Sequence, residues 1–346
     1  MAMRRGAVIG CGYFAANHLN GWAELKDRCA IAAVCDSDPA KSEAAARRFG
    51  IPAYYADAEE MLAAVKPDFA DIVTTAPSHR ALVELCAGHG VAMIVQKPLA
   101  PGWEDASALV SAARDARVPL MVHENFRFQK PVLRAREIVS SGAIGTPIWA
   151  RFSWRTNFDV YAGQPYLAET SRFILMDIGV HVLDVARAFL GEVTEVFCRT
   201  RSIKPGIAGE DMATVIMTHE SGATSVNDFT YESRHAPDPF PQMLLEVEGT
   251  EGAIRLGADY RITVTDPSGT RTETAAPAPL RWSHAPWLAV QDSVVAIQRH
   301  WLDCLDSGAE PETSGLDNLR TFALVEACYT SAAGKLPVVP VATIPG

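Results

Sequence analysis

The chain has 346 residues, 48% of them hydrophobic, with 31 Lys and Arg against 41 Asp and Glu for a formal net charge of -10. That length suits two domains rather than one core, and the negative balance repels phosphate backbones, so no nucleic acid partner is expected. The seven cysteines contain no Cys-x-x-Cys pair, which offers no zinc spacing and fits unpaired thiols in a reducing cytoplasm.

Met1-Ala2-Met3-Arg4-Arg5 leads directly into an apolar run far shorter than a signal-peptide core or a membrane span, so a soluble, cytoplasmic chain with no membrane partner is expected. Short apolar runs then alternate with helical patterns. Ala7-Val8-Ile9 precedes a helix from Ala15, and Ile31 to Val34 precedes a helix from Pro39 to Phe49. Ala70 to Val73, Val91 to Val95 and Pro119 to Val122 continue the rhythm. Such alternation predicts parallel strands joined by right-handed crossovers, a doubly wound α/β Rossmann domain over residues 1–124.

Within it, Gly10-Cys11-Gly12-Tyr13-Phe14-Ala15 lies between a strand and a helix, the setting that gives G-x-G-x-x-G/A its physical meaning. Gly10 permits the tight turn, Gly12 lets a pyrophosphate approach the backbone, and Ala15 keeps the helix against the sheet. Tyr13 and Phe14 complete the cofactor-facing loop. Asp36 ends the second strand, where a carboxylate bonds ribose hydroxyls and repels a 2′-phosphate, which selects NAD over NADP. A helix cap is the plainer role for Asp36, and Asp38 is better placed for it. Thr75, Ala76, Pro77 and His79 follow the next strand on the same edge and are candidates to line the cofactor, whereas Ser78 is equally a helix cap. Gln96 and Lys97 end the Val91 to Val95 strand before Pro98, at the edge where ligands bind.

From residue 125 to 346 strands follow one another: Val193 to Ser202, Met212 to His219, Ala223 to Phe229, Gln242 to Val247 and Ala253 to Leu256. Turn signals stand at Glu220-Ser221-Gly222, Gly249 to Gly252 and Pro267-Ser268-Gly269. This predicts an α+β second domain with a mostly antiparallel open sheet, for substrate binding and assembly into a homodimer or homotetramer. Helices from about Trp287 to Asp306 and Leu316 to Ala333 close the chain and either cover this sheet or return to the first domain.

Asp177-Ile178-Gly179-Val180-His181 opens a helix that ends at Gly191. Four-residue spacing places Asp177 and His181 on one helical face, with Asp184 near the same stripe. A carboxylate beside an imidazole sets up a base for alcohol oxidation; a helix cap and a half-buried histidine are the plainer alternatives. No further ligands stand at metal spacing, so no metal is expected.

Taken together, the fingerprint, Asp36, Thr75-Ala76-Pro77 with His79, Lys97-Pro98 and Asp177-x-x-x-His181-x-x-Asp184 resemble the glucose-fructose oxidoreductase and inositol dehydrogenase family (Gfo/Idh/MocA). In that resemblance Lys97, Asp177 and His181 are the catalytic set and contact substrate; from their positions Asn125 is a further candidate to meet substrate and cofactor, and Arg155 to meet substrate. Gln96 departs from the family's usual glutamate. Trp22, the segment Val95 to Pro98 and the segment His123 to Phe128 look most like sugar dehydrogenases of the D-apiose type. The resemblance implies NAD-dependent oxidation of an aldose at its anomeric carbon to a lactone. A cyclic polyol dehydrogenase, a non-catalytic NAD sensor and an enzyme of transient oxidation are the alternatives. Arg127 lines the pocket or forms an interdomain ion pair, and Trp154, Arg155, Asn157 and Tyr161 either meet a sugar, pack the sheet or form an oligomer interface.

Overall fold

The computed structural model describes residues 3–341, which fall into two compact units: residues 3–124 with 294–320, and residues 125–293 with 321–341. In the first unit, strands β1 (Arg4–Ile9), β2 (Cys29–Cys35), β3 (Ala53–Tyr55), β4 (Phe69–Ile72), β5 (Ala92–Gln96) and β6 (Leu120–His123) form one sheet in the order β3-β2-β1-β4-β5-β6. Every pairing is parallel. Helices α1 (Ala15–Glu24), α2 (Pro39–Phe49), α3 (Ala58–Val65), α4 (His79–Gly88) and α5 (Trp103–Asp115) supply the crossovers.

The reason for parallel pairing is visible in burial. Ala7, Val8, Ile72, Met93, Ile94, Val95, Met121 and Val122 are inaccessible or nearly so on β1, β4, β5 and β6, as strands covered on both faces require. Local chemistry fixes the helix starts. Asp38 accepts from the Ala40 N–H at 3.0 Å with Pro39 at the first helical position, so Asp38 caps α2 and leaves Asp36 free for another task. The strand of this sheet that sequence periodicity misses is β3, only three residues long and half exposed.

The second unit begins with α6 (Lys130–Ser140) and β7 (Pro147–Arg155), followed by the single turn α7 (Val160–Gly163) and α8 (Val180–Leu190). Strands β8 (Val193–Arg201), β9 (Met212–His219), β10 (Thr224–Thr230), β11 (Leu244–Gly249), β12 (Ala253–Leu256), β13 (Arg261–Asp266) and β14 (Gly269–Thr274) complete an eight-stranded sheet. Its order is β14-β13-β12-β11-β7-β10-β9-β8, antiparallel except where β7 runs parallel to β10. Strand β7, absent from the predicted elements, holds a central place between β11 and β10. Its alternation is plain in the structure: Ala150, Phe152 and Trp154 are buried on one face, and Trp149, Arg151, Ser153 and Arg155 point the other way.

Phe189 of α8 meets Phe152 edge to face at 5.5 Å, so the helix lies on that buried face. The last helices are α9 (Leu288–Ser307) and α10 (Gly315–Gly334). Residues 294–320, counted with the second domain in the sequence reading, cluster with the first unit. Among them Thr313 Oγ1 donates to the Val122 carbonyl at 2.7 Å, and Arg4 and Arg28 pair with Asp306. Among the described residues no helix is long and apolar enough to cross a membrane.

Candidate active site

In the first unit the candidate residues gather at the carboxyl edge of the parallel sheet. Gly10 follows β1 with φ +101°, and a Cβ there would stand 2.6 Å from the Val73 carbonyl oxygen, so only glycine fits. A Cβ on Gly12 would meet nothing within 4 Å, which leaves the backbone open to an approaching phosphate. The first turn of α1 has neither an acidic residue nor a side-chain cap, so no carboxylate of its own competes with a bound anion there. Asp36 follows β2. One of its carboxylate oxygens accepts from the Cys11 N–H at 2.8 Å and the other from the Asp38 N–H at 2.9 Å. The acid is thus locked onto the glycine loop. Burial, reinforced by the Asp36 charge, pushes the Cys11 thiol up to about 12, so this cysteine stays neutral and is no nucleophile.

These features fit NAD: an open, anion-accepting loop with a fixed carboxylate one strand away. Tyr13 is 64% exposed beside it. Thr75 and Pro77 are exposed and Ala76 half-buried at the end of β4. His79, by contrast, shows no face to a ligand. It is wholly buried, with its ring nitrogens 3.2 Å from the Leu99 and Thr74 carbonyls, and burial lowers its pKa. It therefore ties the segment after Lys97 to the end of β4 through backbone rather than contacting a cofactor. Ser78 makes no helix cap; its Oγ lies 2.7 Å from Thr74 Oγ1 and 2.9 Å from the Thr75 carbonyl.

Gln96 and Lys97 end β5, half-buried. Gln96 Oε1 accepts from the Lys97 N–H at 2.8 Å, and Gln96 Nε2 lies 3.0 Å from His18 Nε2 on α1. Behind them, Asp71 Oδ2 meets His18 Nδ1 at 2.8 Å and accepts from Trp22 Nε1 at 2.7 Å. In the sequence Trp22 stands out only as part of a resemblance, and nothing local assigns a role to His18 or Asp71.

In the second unit, residues Leu175–Gly179 form a π-helical turn running straight into α8. The regular spacing assumed for Asp177 and His181 does not hold there, because a π turn inserts an extra residue and rotates what precedes it; such turns recur at functional sites. The turn has its own anchors. The Ile174 N–H donates to the Glu210 carbonyl at 3.0 Å, and the Leu175 N–H reaches a Glu210 carboxylate oxygen that also accepts from Tyr329. Gly179 sits where a Cβ would come within 3.1 Å of the Phe229 ring.

Asp177 accepts from the Tyr231 hydroxyl at 2.7 Å. Burial, then the Asp177 charge, holds the Tyr231 pKa well above its ordinary value, so the phenol stays a donor. His181 is buried and stacks on Phe126 with ring centroids 4.0 Å apart and planes 7° from parallel, which fixes the plane of its imidazole. Asn125 donates through Nδ2 to Ser293 Oγ at 2.7 Å. Tyr231, unremarked in the sequence, follows β10 directly; its signal was a tyrosine closing a strand beside buried Trp154, which it meets edge to face at 5.0 Å.

One sequence expectation is corrected within this unit. Arg155 cannot face substrate alongside Asp177. Pleating puts Trp154 and its register partner Phe229 on the helix side, while Arg155 lies on the opposite face with Arg151, both paired to Asp228. Arg127 makes a bidentate ion pair inside the second unit. Its Nη2 donates to Asp184 Oδ1 at 2.8 Å and its Nε to the other oxygen, both residues in the second unit. Thr321 adds a 2.7 Å hydrogen bond to Asp184, so Asp184 anchors packing rather than joining a catalytic stripe. Because Asp184 is completely buried, Arg127→Met should cost about 3–5 kcal/mol, read as a lower midpoint in urea unfolding. A loss within about 1 kcal/mol would show the pair to be dispensable. Trp154 donates to the Pro241 carbonyl, and the Asn157 N–H donates to Asp238, so both are tied into their own unit. Tyr161 lies under the Lys204 ammonium at 4.5 Å.

Residues 4–124 match the model of the Gfo/Idh/MocA oxidoreductase family, NAD-binding Rossmann fold, and residues 132–255 match the Gfo/Idh/MocA C-terminal domain. The chain is 55% identical to a D-apiose dehydrogenase from Paraburkholderia graminis, over 95% of this chain and 87% of that protein. It is 50% identical to a D-apiose dehydrogenase from Rhizobium rhizogenes, over 96% of each. Among solved structures, an oxidoreductase from Agrobacterium radiobacter in complex with NAD+, L-tartaric acid and magnesium superposes with a TM-score of 0.96 at 49% identity, over 98% of both chains.

Proposed function

The chain belongs to the Gfo/Idh/MocA oxidoreductase family, and from that premise we propose that it is an NAD-dependent sugar dehydrogenase oxidising an aldose of the D-apiose kind at its anomeric carbon. The observation that carries the substrate class is the 55% and 50% identity to two D-apiose dehydrogenases over nearly the whole chain.

Gly10, Gly12, the start of α1 and Asp36 hold the cofactor, with Tyr13, Phe14, Thr75, Ala76 and Pro77 around it. Bound NAD supplies the hydride acceptor. His181 takes the proton of the sugar hydroxyl, its ring plane set by Phe126. Lys97 donates a hydrogen bond to the same oxygen as negative charge develops on it, which lowers the barrier more than it lowers the ground state. Asp177, its carboxylate steadied by Tyr231, holds substrate and histidine in place. Asn125 contributes a polar edge. Loss of the anomeric hydrogen as hydride and of the hydroxyl proton leaves a lactone, which water opens to the acid.

The protein works in the cytoplasm with its thiols reduced, as a homodimer or homotetramer. The outer face of the second sheet supports assembly: Ile216 is 43% exposed there, beside Trp149 and the Arg151–Asp228 pair.

NAD reduction measured across aldoses, branched aldopentoses and cyclic polyols tests the reading. A branched aldopentose should give the highest kcat/KM. Activity with inositol and none with any aldose would overturn the substrate class.

A further inference from the structure

We propose that His18 and Asp71 are positioning residues for Lys97, acting through Gln96 as a proton-ordered relay in which His18 is neutral and carries its hydrogen on Nδ1. The inference rests on the role for Lys97 given above.

The order of protons follows from one group that has no choice. A backbone N–H can only donate, so the Lys97 N–H at 2.8 Å fixes Oε1 as the Gln96 atom facing it. The Gln96 amide nitrogen then faces His18 Nε2 at 3.0 Å, and an NH2 group can only donate. His18 Nε2 must therefore carry a lone pair. The ring's single hydrogen is left on Nδ1, pointing 2.8 Å to Asp71 Oδ2, which also receives the Trp22 indole hydrogen at 2.7 Å. Each link of the relay pairs a donor with an acceptor, from the main chain of Lys97 to the Asp71 carboxylate.

The surroundings hold this arrangement rigid. His18 and Asp71 are both completely buried. The titratable ring of His123 on β6 also lies against His18, its centroid 4.1 Å away at 33°, and Phe14 meets His18 edge-on at 5.6 Å. The His18 carbonyl accepts from Gln298 Nε2 at 3.1 Å, and Gly21 on the next turn leaves room for that side chain, since a Cβ would stand 2.3 Å from Gln298 Oε1. Among the described residues Asp71 Oδ1 has no hydrogen-bond partner, so this carboxylate is compensated through Oδ2 alone. The His18 hydrogen is one of only two it receives.

This arrangement gives the glutamine at position 96 a physical meaning. A glutamate there would still accept from the Lys97 N–H, but its second oxygen would face His18 Nε2, and only a protonated ring could answer it. Both relays carry one net negative charge: Asp71 with a neutral ring, or two carboxylates about an imidazolium. They differ in that the second loses its pairing once the imidazole releases its proton, a release that two flanking carboxylates move toward alkaline pH. The amide removes that dependence and makes the seat of Lys97 indifferent to pH.

The test is histidine nitrogen NMR on the NAD-bound, 15N-histidine-labelled protein, with His18→Gln and His123→Gln for assignment. Wild-type His18 should show the Nδ1–H tautomer that the hydrogen-bond geometry requires. In Gln96→Glu the ring should be doubly protonated at neutral pH. The kcat of that variant should then fall by about tenfold or more toward alkaline pH, where the wild type is flat, as Lys97 loses its geometry. Gln96→Met keeps the size but neither hydrogen bond, and should lower kcat by roughly 10- to 100-fold with little change in the KM for NAD. A wild-type ring protonated on Nε2, or Gln96→Glu with wild-type His18 signals and pH profile, would overturn the relay. The NMR readout needs no turnover. Normal turnover in Lys97→Met would therefore defeat the role of Lys97 while leaving the proton order standing or falling by itself.

Discussion

Lys97→Met should lower kcat by roughly a hundred- to a thousandfold, the cost of removing one preorganised donor to a developing oxyanion. NAD affinity should change little, because the loop and Asp36 supply the cofactor's anchors and the methionine keeps the stem that fills the end of β5. The Asp36 carboxylate is held by backbone N–H groups of Cys11 and Asp38, neither of which involves Lys97. Titrating NAD by quenching of tryptophan fluorescence, alongside steady-state kinetics, separates the two effects. Wild-type turnover would remove Lys97 from the mechanism, and a parallel loss of NAD binding would recast it as a cofactor residue.

The second large effect belongs to His181. His181→Ala should cost about 10²- to 10⁴-fold in kcat, the usual contribution of a positioned base. Its pH profile carries the sharper signature. A base works unprotonated, so wild-type kcat/KM should rise with pH through the histidine titration, and that rise should vanish in the variant. Because the ring stacks on Phe126, alanine also opens a void; His181→Gln fills most of it and should show the same loss of the acid limb with a smaller change in stability. A variant that keeps the wild-type limb would assign the base to another group.

How far the sequence reaches depends on the range of the interaction that fixes each feature. The parallel sheet and its glycine loop are legible because burial on both faces writes an unbroken apolar run, and the φ of Gly10 admits no other residue. Strand β7 was legible in principle, since Ala150, Phe152 and Trp154 alternate with Arg151, Ser153 and Arg155. Reading the aromatics and arginine as sugar contacts hid that period of two, and with it the opposite orientation of Arg155. The π turn at Leu175–Gly179 leaves too short a trace, because five residues do not distinguish its period from that of an α-helix. His18, Asp71 and Gln96 lie on α1, β4 and β5, and no local pattern announces a hydrogen bond between residues 53 or 78 positions apart. Arg127 and Asp184 are equally remote in sequence, which is why their pairing within one unit came from the structure alone.

The most direct measurement of the central claim uses D-apiose carrying deuterium at the anomeric carbon, with NAD, followed by NADH absorbance and mass analysis of the reduced cofactor. The account predicts one deuterium in each NADH formed, a lactone or its acid in equal amount, and slower reduction than with the unlabelled sugar wherever hydride transfer limits the rate. NADH free of deuterium, or sugar converted with no net NADH, would contradict it.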